Sequence, residues 1–196
     1  MSFVPAVQEA VDVSLSLDTT TLAAIETGLK LVKRQALINS TSGEPERLEK
    51  VPPVAAEHHA KLIALMMGKS GIPVSAEERV AIAIEKLVPR AMEVGIPMED
   101  LYLDPLILTV AGVQEYCPHA IEGVRYVKQG MDPAPMTTCG LSNVSNNVPG
   151  EMRSLLNRVY LVMLMAAGLD SVIADPLDAM LMDTIRVVEE RDESTG

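Results

Sequence analysis

The stretch MTTCGLSN, residues 136–143, is a short apolar run that ends in polar side chains, and its arrangement decides the fold class. Similar runs of strand-forming residues recur along the chain, and longer segments with helical periodicity separate them. This alternation predicts parallel strands covered by helices, because a crossover between parallel strands needs room for a helix. The other predicted strands are residues 11–18, 36–41, 61–67, 100–107 and 171–176.

The predicted helices carry signals that mark their ends. Ser75, with Glu78 three residues later, predicts a capping box, and Gly95 predicts the C-terminal stop of the same helix. The pair Pro52-Pro53 predicts a kink or a split in the helix that follows the second strand, and Pro118 predicts a further break. The other predicted helices are residues 21–32, 152–168 and 177–193.

The number of strand–helix units leaves two architectures, a (β/α)8 TIM barrel and an open doubly wound sheet. No G-x-G-x-x-G motif follows the first predicted strand, which disfavours a dinucleotide-binding sheet. The segment FVPAVQEAV, residues 3–11, has the pattern of a helix and precedes any strand. We therefore predict an α/β fold, an incomplete TIM barrel with about six βα units, and a single domain over residues 1–196.

Composition excludes several classes of function. The 196 residues are 48% hydrophobic and carry a net charge of -11, which disfavours a nucleic-acid surface and an anionic membrane as partners. The chain lacks the ~20 consecutive apolar residues of a membrane helix. The two cysteines, Cys117 and Cys139, do not form a CxxC motif. We expect a cytoplasmic protein without a disulfide framework or a bound metal.

Polar side chains end five of the six predicted strands. The carboxyl ends of parallel strands meet at one edge of a sheet, so we expect these side chains to share one site. Carboxylates and amides together suit a neutral heterocycle rich in hydrogen-bonding groups. Helix capping or turn formation is the alternative role of Asp and Asn at such positions, and the pattern leaves it open. The residues are Asp18, Asn39, Asp104, Asn143 and Asp175.

Two further features predict structural roles. The motif MMGKSGIP, residues 66–73, contains Gly-Lys-Ser, but Ile63 stands where a phosphate-binding loop has its first glycine. This motif therefore predicts a tight turn after a strand. Cys139 lies within an apolar run and predicts a core residue.

Six segments of the chain, taken in order, resemble the pterin-binding methyltransferases, and in particular the methyltetrahydrofolate:corrinoid/iron–sulfur protein methyltransferase family. The resemblance implies a TIM barrel, usually a homodimer, with the pterin held at the carboxyl ends of the strands. It also implies that two further βα units precede the chain and that its last helix stops slightly early. The segments are LSLDTT, LINSTSGE, MMGKSGIP, PMEDLYLDPLIL, DPAPMTTCGLSNVSNN and GLDSVIADPLDAML.

The resemblance implies a role for each matching residue. Asn143 stands where the family has an asparagine that helps to stabilise the ring nitrogen as the methyl group leaves, so it is the expected catalytic residue. Asn146 replaces a glutamine of similar relatives. The other residues expected to bind the pterin are Asp18, Asn39, Asp104, Gly140, Ser142 and Arg153.

The reaction implied by the resemblance moves a methyl group between methyltetrahydrofolate and the cobalt of a cobalamin, or corrinoid. A partner corrinoid protein, such as a corrinoid iron–sulfur protein, carries that cobalt. The alternatives are the folate-binding domain of a methionine synthase and a non-catalytic remnant of the barrel. Dihydropteroate synthase is disfavoured, because GLSNVS, residues 140–145, lacks the basic motif that its charged substrate needs.

Overall fold

The computed structural model describes residues 3–190 and contains a five-stranded, all-parallel sheet. The strand order follows the sequence, so each connection carries the chain one strand further along the sheet, as in a TIM barrel. In the described part of the chain, β1 pairs with β2 alone. The strands are β1 (Ser16–Asp18), β2 (Leu37–Ser42), β3 (Lys61–Leu65), β4 (Leu101–Asp104) and β5 (Met136–Thr137).

Helices connect the strands and cover the sheet. Ser75 begins the helix after β3 as predicted, because its Oγ accepts the backbone N–H of Glu78 at 3.2 Å. A π-helical turn, Ala83–Leu87, continues that helix. The α-helices are α1 (Phe3–Ala10), α2 (Leu22–Leu29), α3 (Pro45–Glu57), α4 (Ala76–Ile82), α5 (Val88–Glu93), α6 (Val110–Val113), α7 (Tyr116–Gly130), α8 (Gly150–Ala167) and α9 (Ala179–Glu190).

The core consists of two clusters of buried apolar side chains. The first lies between the sheet and the helices α2 to α5, and it includes Ile38 of β2 and Leu62 of β3. The second lies among α7, α8 and α9 and includes Cys139, which confirms the predicted core position of that thiol. Leu62, Ile63 and Ala64 of β3 are all buried, as expected for a strand covered on both faces.

Of the kink or split predicted at Pro52-Pro53, the split is wrong, because α3 runs unbroken through both prolines. Each proline lacks the N–H that would reach four residues back, which frees the carbonyl oxygens of Leu48 and Glu49. The guanidinium group of Arg90 donates to these two oxygens, at 3.3 Å and 3.2 Å. A side chain from α5 therefore replaces the missing backbone bonds.

The helix predicted to break at Pro118 is interrupted at a different position. Pro118 lies in the first turn of α7, where a proline removes no intrahelical hydrogen bond. The interruption lies upstream, at Gly112, whose φ is +98°.

Five of the six predicted strands are shorter than the sequence suggested. The strand predicted over 11–18 begins at Ser16, the one over 61–67 ends at Leu65, and the one over 100–107 is reduced to Leu101–Asp104. The strand predicted over 136–143 ends at Thr137, and residues Leu141–Ser145 form a 3-10 helix. The strand predicted over 171–176 is a single parallel bridge between Gly140 and Ile173. Its following helix starts at Ala179, and positions 191–193 of that prediction lie outside the described residues. The sixth βα unit is present, but its strand is reduced to one pair.

The architecture confirms the predicted α/β class with parallel strands in barrel order. Within residues 3–190, no helix combines the length and the apolar composition needed to cross a membrane.

Candidate functional site

Asp18, the last residue of β1, lies beside Asn39, whose prediction as a strand end is wrong because β2 continues to Ser42. Asp18 and Asn39 are register partners, and the next backbone N–H along the chain, that of Thr19, donates to the Asn39 carbonyl at 3.3 Å. Both side chains line a polar cleft of about 240 Å³ that extends to Leu65 and Met67 after β3. The structure therefore brings two of the predicted residues into one cleft.

Arg47 of α3 fixes the loops that form this cleft. Its guanidinium group donates to the carbonyl of Thr20 at 2.7 Å and to the carbonyl of Ser40. Thr20 lies in the loop that follows Asp18, and Ser40 follows Asn39 within β2. The sequence analysis missed Arg47, although a basic residue in the segment GEPER after a predicted strand was a signal for it.

Asp104 ends β4 at the same edge of the sheet and is 7% exposed. Its backbone carbonyl accepts the Met66 N–H at 2.9 Å, and its Oδ1 accepts the Leu106 N–H at 2.7 Å. Burial raises the pKa of this carboxyl from its ordinary 3.8 to about 6, against the opposing effects of the Leu106 hydrogen bond and of Arg79. Asp104 is deeper than Asp18 and is not part of the cleft wall.

Asn143 lies on the 3-10 helix after β5 rather than at a strand end, and its side chain is exposed. The Asn146 side-chain nitrogen is 3.4 Å from Asn143 Oδ1, so these two amides are neighbours. A Cβ added to Gly140 would approach Asn143 Nδ2 to 3.2 Å, which makes glycine the residue that leaves this amide room. Ser142, on the same turn, is exposed.

Arg153 is exposed in the first turns of α8 and faces the same 3-10 helix. Its Nε donates to Ser145 Oγ at 3.4 Å, and Ser145 in turn donates to the Ser142 carbonyl at 3.2 Å. The position predicted for Arg153, beside the loop that carries Asn143, agrees with this geometry.

The prediction of Asp175 as a strand end is wrong. Asp175 follows the single bridge of the sixth unit, is exposed, and accepts the Leu177 N–H at 2.9 Å. The side chain thus accepts a hydrogen bond from the backbone two residues later, as in an Asx turn. Turn formation is the alternative role that the sequence pattern left open.

The motif MMGKSGIP forms the predicted tight turn. The backbone of Gly68 exchanges two hydrogen bonds with that of Gly71, at 3.2 Å and 2.9 Å. Gly71 has a φ of +94°, which glycine adopts without strain.

The four remaining predicted residues thus lie toward the carboxyl edge of the sheet, in three places. Asp18 and Asn39 form the cleft, Asn143 lies after β5, and Asp104 occupies the strand end between them. Carboxylates accept hydrogen bonds, while amides both accept and donate them. This set can bind a flat heterocycle that carries ring N–H, amino and carbonyl groups.

Strands in barrel order, with a polar site at their carboxyl ends, define an α/β protein of the TIM-barrel class. The chain belongs to the pterin binding enzyme family, whose model matches residues 1–175.

Among the curated relatives are a methylcorrinoid:tetrahydrofolate methyltransferase and a methionine synthase. The chain is 28% identical over 184 residues to methylcorrinoid:tetrahydrofolate methyltransferase of Eubacterium limosum, covering 91% of this chain and 65% of that protein. It is 31% identical over 180 residues to methionine synthase of Mycobacterium tuberculosis, covering 87% of this chain and 15% of that protein. The chain thus spans less than two thirds of the length of either relative.

Solved structures with the same fold are dihydropteroate synthases. The enzyme of Yersinia pestis superposes with a TM-score of 0.71 at 20% identity, over 96% of this chain and 76% of that chain. A Clostridium difficile dihydropteroate synthase crystallised with pteroic acid gives a TM-score of 0.72 at 18% identity, over 96% and 71% of the two chains. At these identities the likeness shows the fold alone.

Proposed function

We propose that this chain binds the pterin ring of methyltetrahydrofolate and takes part in methyl transfer between that folate and the cobalt of a corrinoid. The cobalamin is carried by a partner corrinoid protein and not by this chain. The observation that carries the proposal is the placement of Asp18, Asn39 and Asp104 on three strands of one parallel sheet, with Asp18 and Asp104 at the ends of theirs. The methyltransferase relatives support the choice of reaction.

In the proposed complex, Asp18 and Asp104 accept hydrogen bonds from the amino and ring N–H groups of the pterin. Asn39 both accepts and donates, as the edge of a pterin requires. Gly140 and Ser142 border the ring, and Asn146 and Arg153 hold the border in place.

We assign the catalytic role to Asn143. An alkylated tertiary amine is a poor leaving group, so the bond between the ring nitrogen and the methyl carbon needs electrophilic help as it breaks. The Asn143 amide N–H donates a hydrogen bond to that nitrogen, which keeps the electron pair of the broken C–N bond and takes up a proton from solvent. Its single contact to Asn146, at 3.4 Å, is long for a hydrogen bond and leaves the amide available. The corrinoid supplies the cobalt nucleophile.

A second candidate function is the folate-binding unit of a methionine synthase. The match to methionine synthase favours it, because the aligned part is only 15% of that longer protein. Both candidates place the pterin in the same site, and they differ in the protein that presents the cobalt.

The first experiment is isothermal titration of the chain with methyltetrahydrofolate, beside Asn143→Ala. Loss of one hydrogen bond of about 1.4 kcal/mol weakens binding about tenfold. Asn147→Gly is the matched control, because Asn147 is exposed with a φ of +61°, which glycine adopts freely. Equal folate affinities of Asn143→Ala and Asn147→Gly would show that Asn143 does not contact the folate. The absence of binding by the unaltered chain would contradict the proposal for this chain.

A kinetic experiment separates binding from catalysis. The chain is mixed with free cob(I)alamin and methyltetrahydrofolate, and the decay of cob(I)alamin absorbance reports methyl transfer. Because the amide acts in the transition state, Asn143→Ala is expected to slow transfer by about 10²-fold. A loss of binding without a further loss of rate at saturating folate would make Asn143 a binding residue only.

We further propose that the chain forms a homodimer through the outward face of α8. That face exposes a stripe of uncharged apolar side chains on a chain whose net charge is -11. α8 also carries Arg153 and Arg158 against a single acidic residue, Glu151, so its local charge reduces the repulsion of an acidic second copy. The stripe consists of Met152, Leu155, Val159, Val162 and Met163.

A further inference from the structure

Arg79 of α4 is a buried cation directly behind the carboxyl edge of the sheet. It is 0% exposed, and within residues 3–190 no carboxylate forms an ion pair with it. Its Nη2 is buried and has no hydrogen-bond partner in the described part of the chain. Burial of a charge without a paired counter-ion is unfavourable, so its presence at this position points to a role beyond packing.

The contacts of Arg79 join two loops at the mouth of the site. Its Nε donates to the Pro73 carbonyl at 2.9 Å, in the loop that follows β3. Its Nη1 donates to the carbonyls of Pro105 and Leu106, at 2.7 Å and 3.2 Å, in the loop that follows β4. One guanidinium group therefore fixes the backbone on both sides of the end of β4.

Leu106 connects Arg79 to Asp104. Its carbonyl accepts from Arg79, while its N–H donates to Asp104 Oδ1 at 2.7 Å. Leu106 also has a φ of +63°, a left-handed conformation that a leucine keeps only when its surroundings hold it. The orientation of the Asp104 carboxylate thus depends on a backbone segment that Arg79 holds in place.

The charges around Asp104 give Arg79 a second effect. The titratable groups near this pair are Tyr116, whose ring centroid is 5.8 Å from the guanidinium carbon, and Cys117, Cys139 and Tyr160. Burial raises the pKa of both thiols and of the Tyr160 phenol, so these groups stay neutral at pH 7. Burial favours the protonated form of Asp104, and the positive charge of Arg79 favours the ionised form. The attraction to Arg79 therefore lowers the pKa of that carboxyl.

We propose that Arg79 is a positioning residue for the site, which orients the Asp104 carboxylate through Leu106 and keeps it anionic at neutral pH. The proposal rests on the proposed function, since it is for a bound pterin that Asp104 must be an ionised acceptor. The arrangement itself is a property of the chain without ligand, which allows the two proposals to be tested separately.

The test is a ¹³C NMR titration of the Asp104 carboxyl in the 196-residue chain, assigned by its disappearance in Asp104→Asn. Arg79→Gln keeps a hydrogen-bond donor and removes the charge, whereas Arg79→Lys keeps the charge and removes the planar fork. Arg90→Gln is the matched control, because Arg90 also donates to two backbone carbonyls, on α3, away from Asp104.

We expect Arg79→Gln to raise the Asp104 titration midpoint by roughly 1 pH unit, Arg79→Lys to raise it less, and Arg90→Gln to leave it unchanged. The acid limb of methyltetrahydrofolate binding against pH should move by the same amount. A folded Arg79→Gln chain with an unchanged midpoint would overturn the proposal. If both Arg79 variants fail to fold while Arg90→Gln folds, Arg79 is a structural residue and the proposal is rejected.

The titration remains decisive if the chain binds no folate. A raised midpoint without any folate binding would support the role of Arg79 and contradict the proposed function. An unchanged Asp104 midpoint in Arg79→Gln, together with normal folate binding, would contradict the role of Arg79 and support the proposed function.

Discussion

Thr137 and Asp170 are 33 positions apart in the sequence, yet Asp170 Oδ2 accepts both the backbone N–H of Thr137, at 2.7 Å, and its hydroxyl, at 2.8 Å. The Lys128 ammonium group approaches the same carboxylate at 2.9 Å. This cluster ties β5 to the loop after α8, at a point where the sixth strand contributes only one bridge.

We predict that Asp170→Ala destabilises the chain strongly. The substitution leaves the buried Thr137 N–H without its acceptor, and an unsatisfied buried group costs about 1–3 kcal/mol. The Thr137 hydroxyl loses its shorter bond and keeps only the Gly168 carbonyl, at 3.4 Å. Urea unfolding followed by circular dichroism measures the loss. Asp12→Ala is the control, because Asp12 forms an exposed ion pair with Arg34 that is worth at most about 1 kcal/mol. Equal losses of unfolding free energy in Asp170→Ala and Asp12→Ala would contradict the stabilising role of the hydrogen bonds between Asp170 and Thr137.

Gly43 allows two strands to approach at the cleft, and we predict that Gly43→Ala destabilises the chain. A Cβ there would lie 2.7 Å from the Met67 carbonyl oxygen, which also accepts the Gly43 N–H at 2.8 Å. Because a backbone atom cannot move aside, we expect a loss of about 1–3 kcal/mol. Gly150→Ala, with open space around its Cβ, should be neutral or stabilising in thermal unfolding. A neutral Gly43→Ala would mean that the β2 loop is free to shift.

Asp104→Asn should stabilise the chain at pH 7.5 while it weakens pterin binding. Because burial raises the folded-state pKa from 3.8 to about 6, the protonated carboxyl favours folding below 3.8, and this contribution is lost as the pH rises through 6. The ionised group therefore costs up to about 3 kcal/mol at pH 7.5. Asparagine removes that charge and keeps an acceptor for the Leu106 N–H.

Urea unfolding at two pH values checks the sign of this effect. The stability gained by Asp104→Asn should fall by roughly half between pH 7.5 and pH 5, because wild-type Asp104 becomes protonated over that range. A gain that does not depend on pH would arise from packing and not from the titration of Asp104. A loss of stability at pH 7.5 would show that attraction to Arg79 outweighs burial.

Val159→Lys should convert the proposed homodimer into a monomer. Val159 is 53% exposed in the middle of the apolar stripe of α8, and a buried, unpaired ammonium group is unfavourable in an interface. Sedimentation equilibrium measures the mass of both chains. Ile84→Lys, at an equally exposed apolar position of the π-helical turn, should remain dimeric. A monomeric unaltered chain would contradict the proposed interface.

Several parts of the fold were predictable because their signals are local. Ser75 caps its helix through its own hydroxyl, and Gly95 has the positive φ, +84°, of a helix stop. The unbroken helix through Pro52 was not predictable, because Arg90, 38 positions away, supplies the missing donor. The sixth strand was overestimated, since apolar content at 171–176 does not reveal how many partners a strand finds.

The candidate site shows the same division. Asp18 and Asp104 were predictable as strand ends, because the side chain that follows an apolar run is visible in the sequence. Asn39 was wrongly predicted as a strand end, because β2 continues through the polar residues up to Ser42. Arg47 and Arg79 were missed, because each links a nearby segment to a loop that is 27 or 26 positions away in the sequence. Asp175 was misassigned, since a turn and a strand end look alike when the pairing of the strand is unknown. The roles of the site residues in pterin binding stay predictions.

The sequence by itself determined the order of strands and helices, the apolar faces that form the core and the polar residues at the strand ends, because each depends on neighbouring positions. The tertiary structure decided which of those polar residues meet, how deeply Asp104 is buried and that Arg79 lies behind it. Those properties depend on which atoms exclude water from a carboxylate and which loops share a donor, and the elements that supply them are dozens of residues apart.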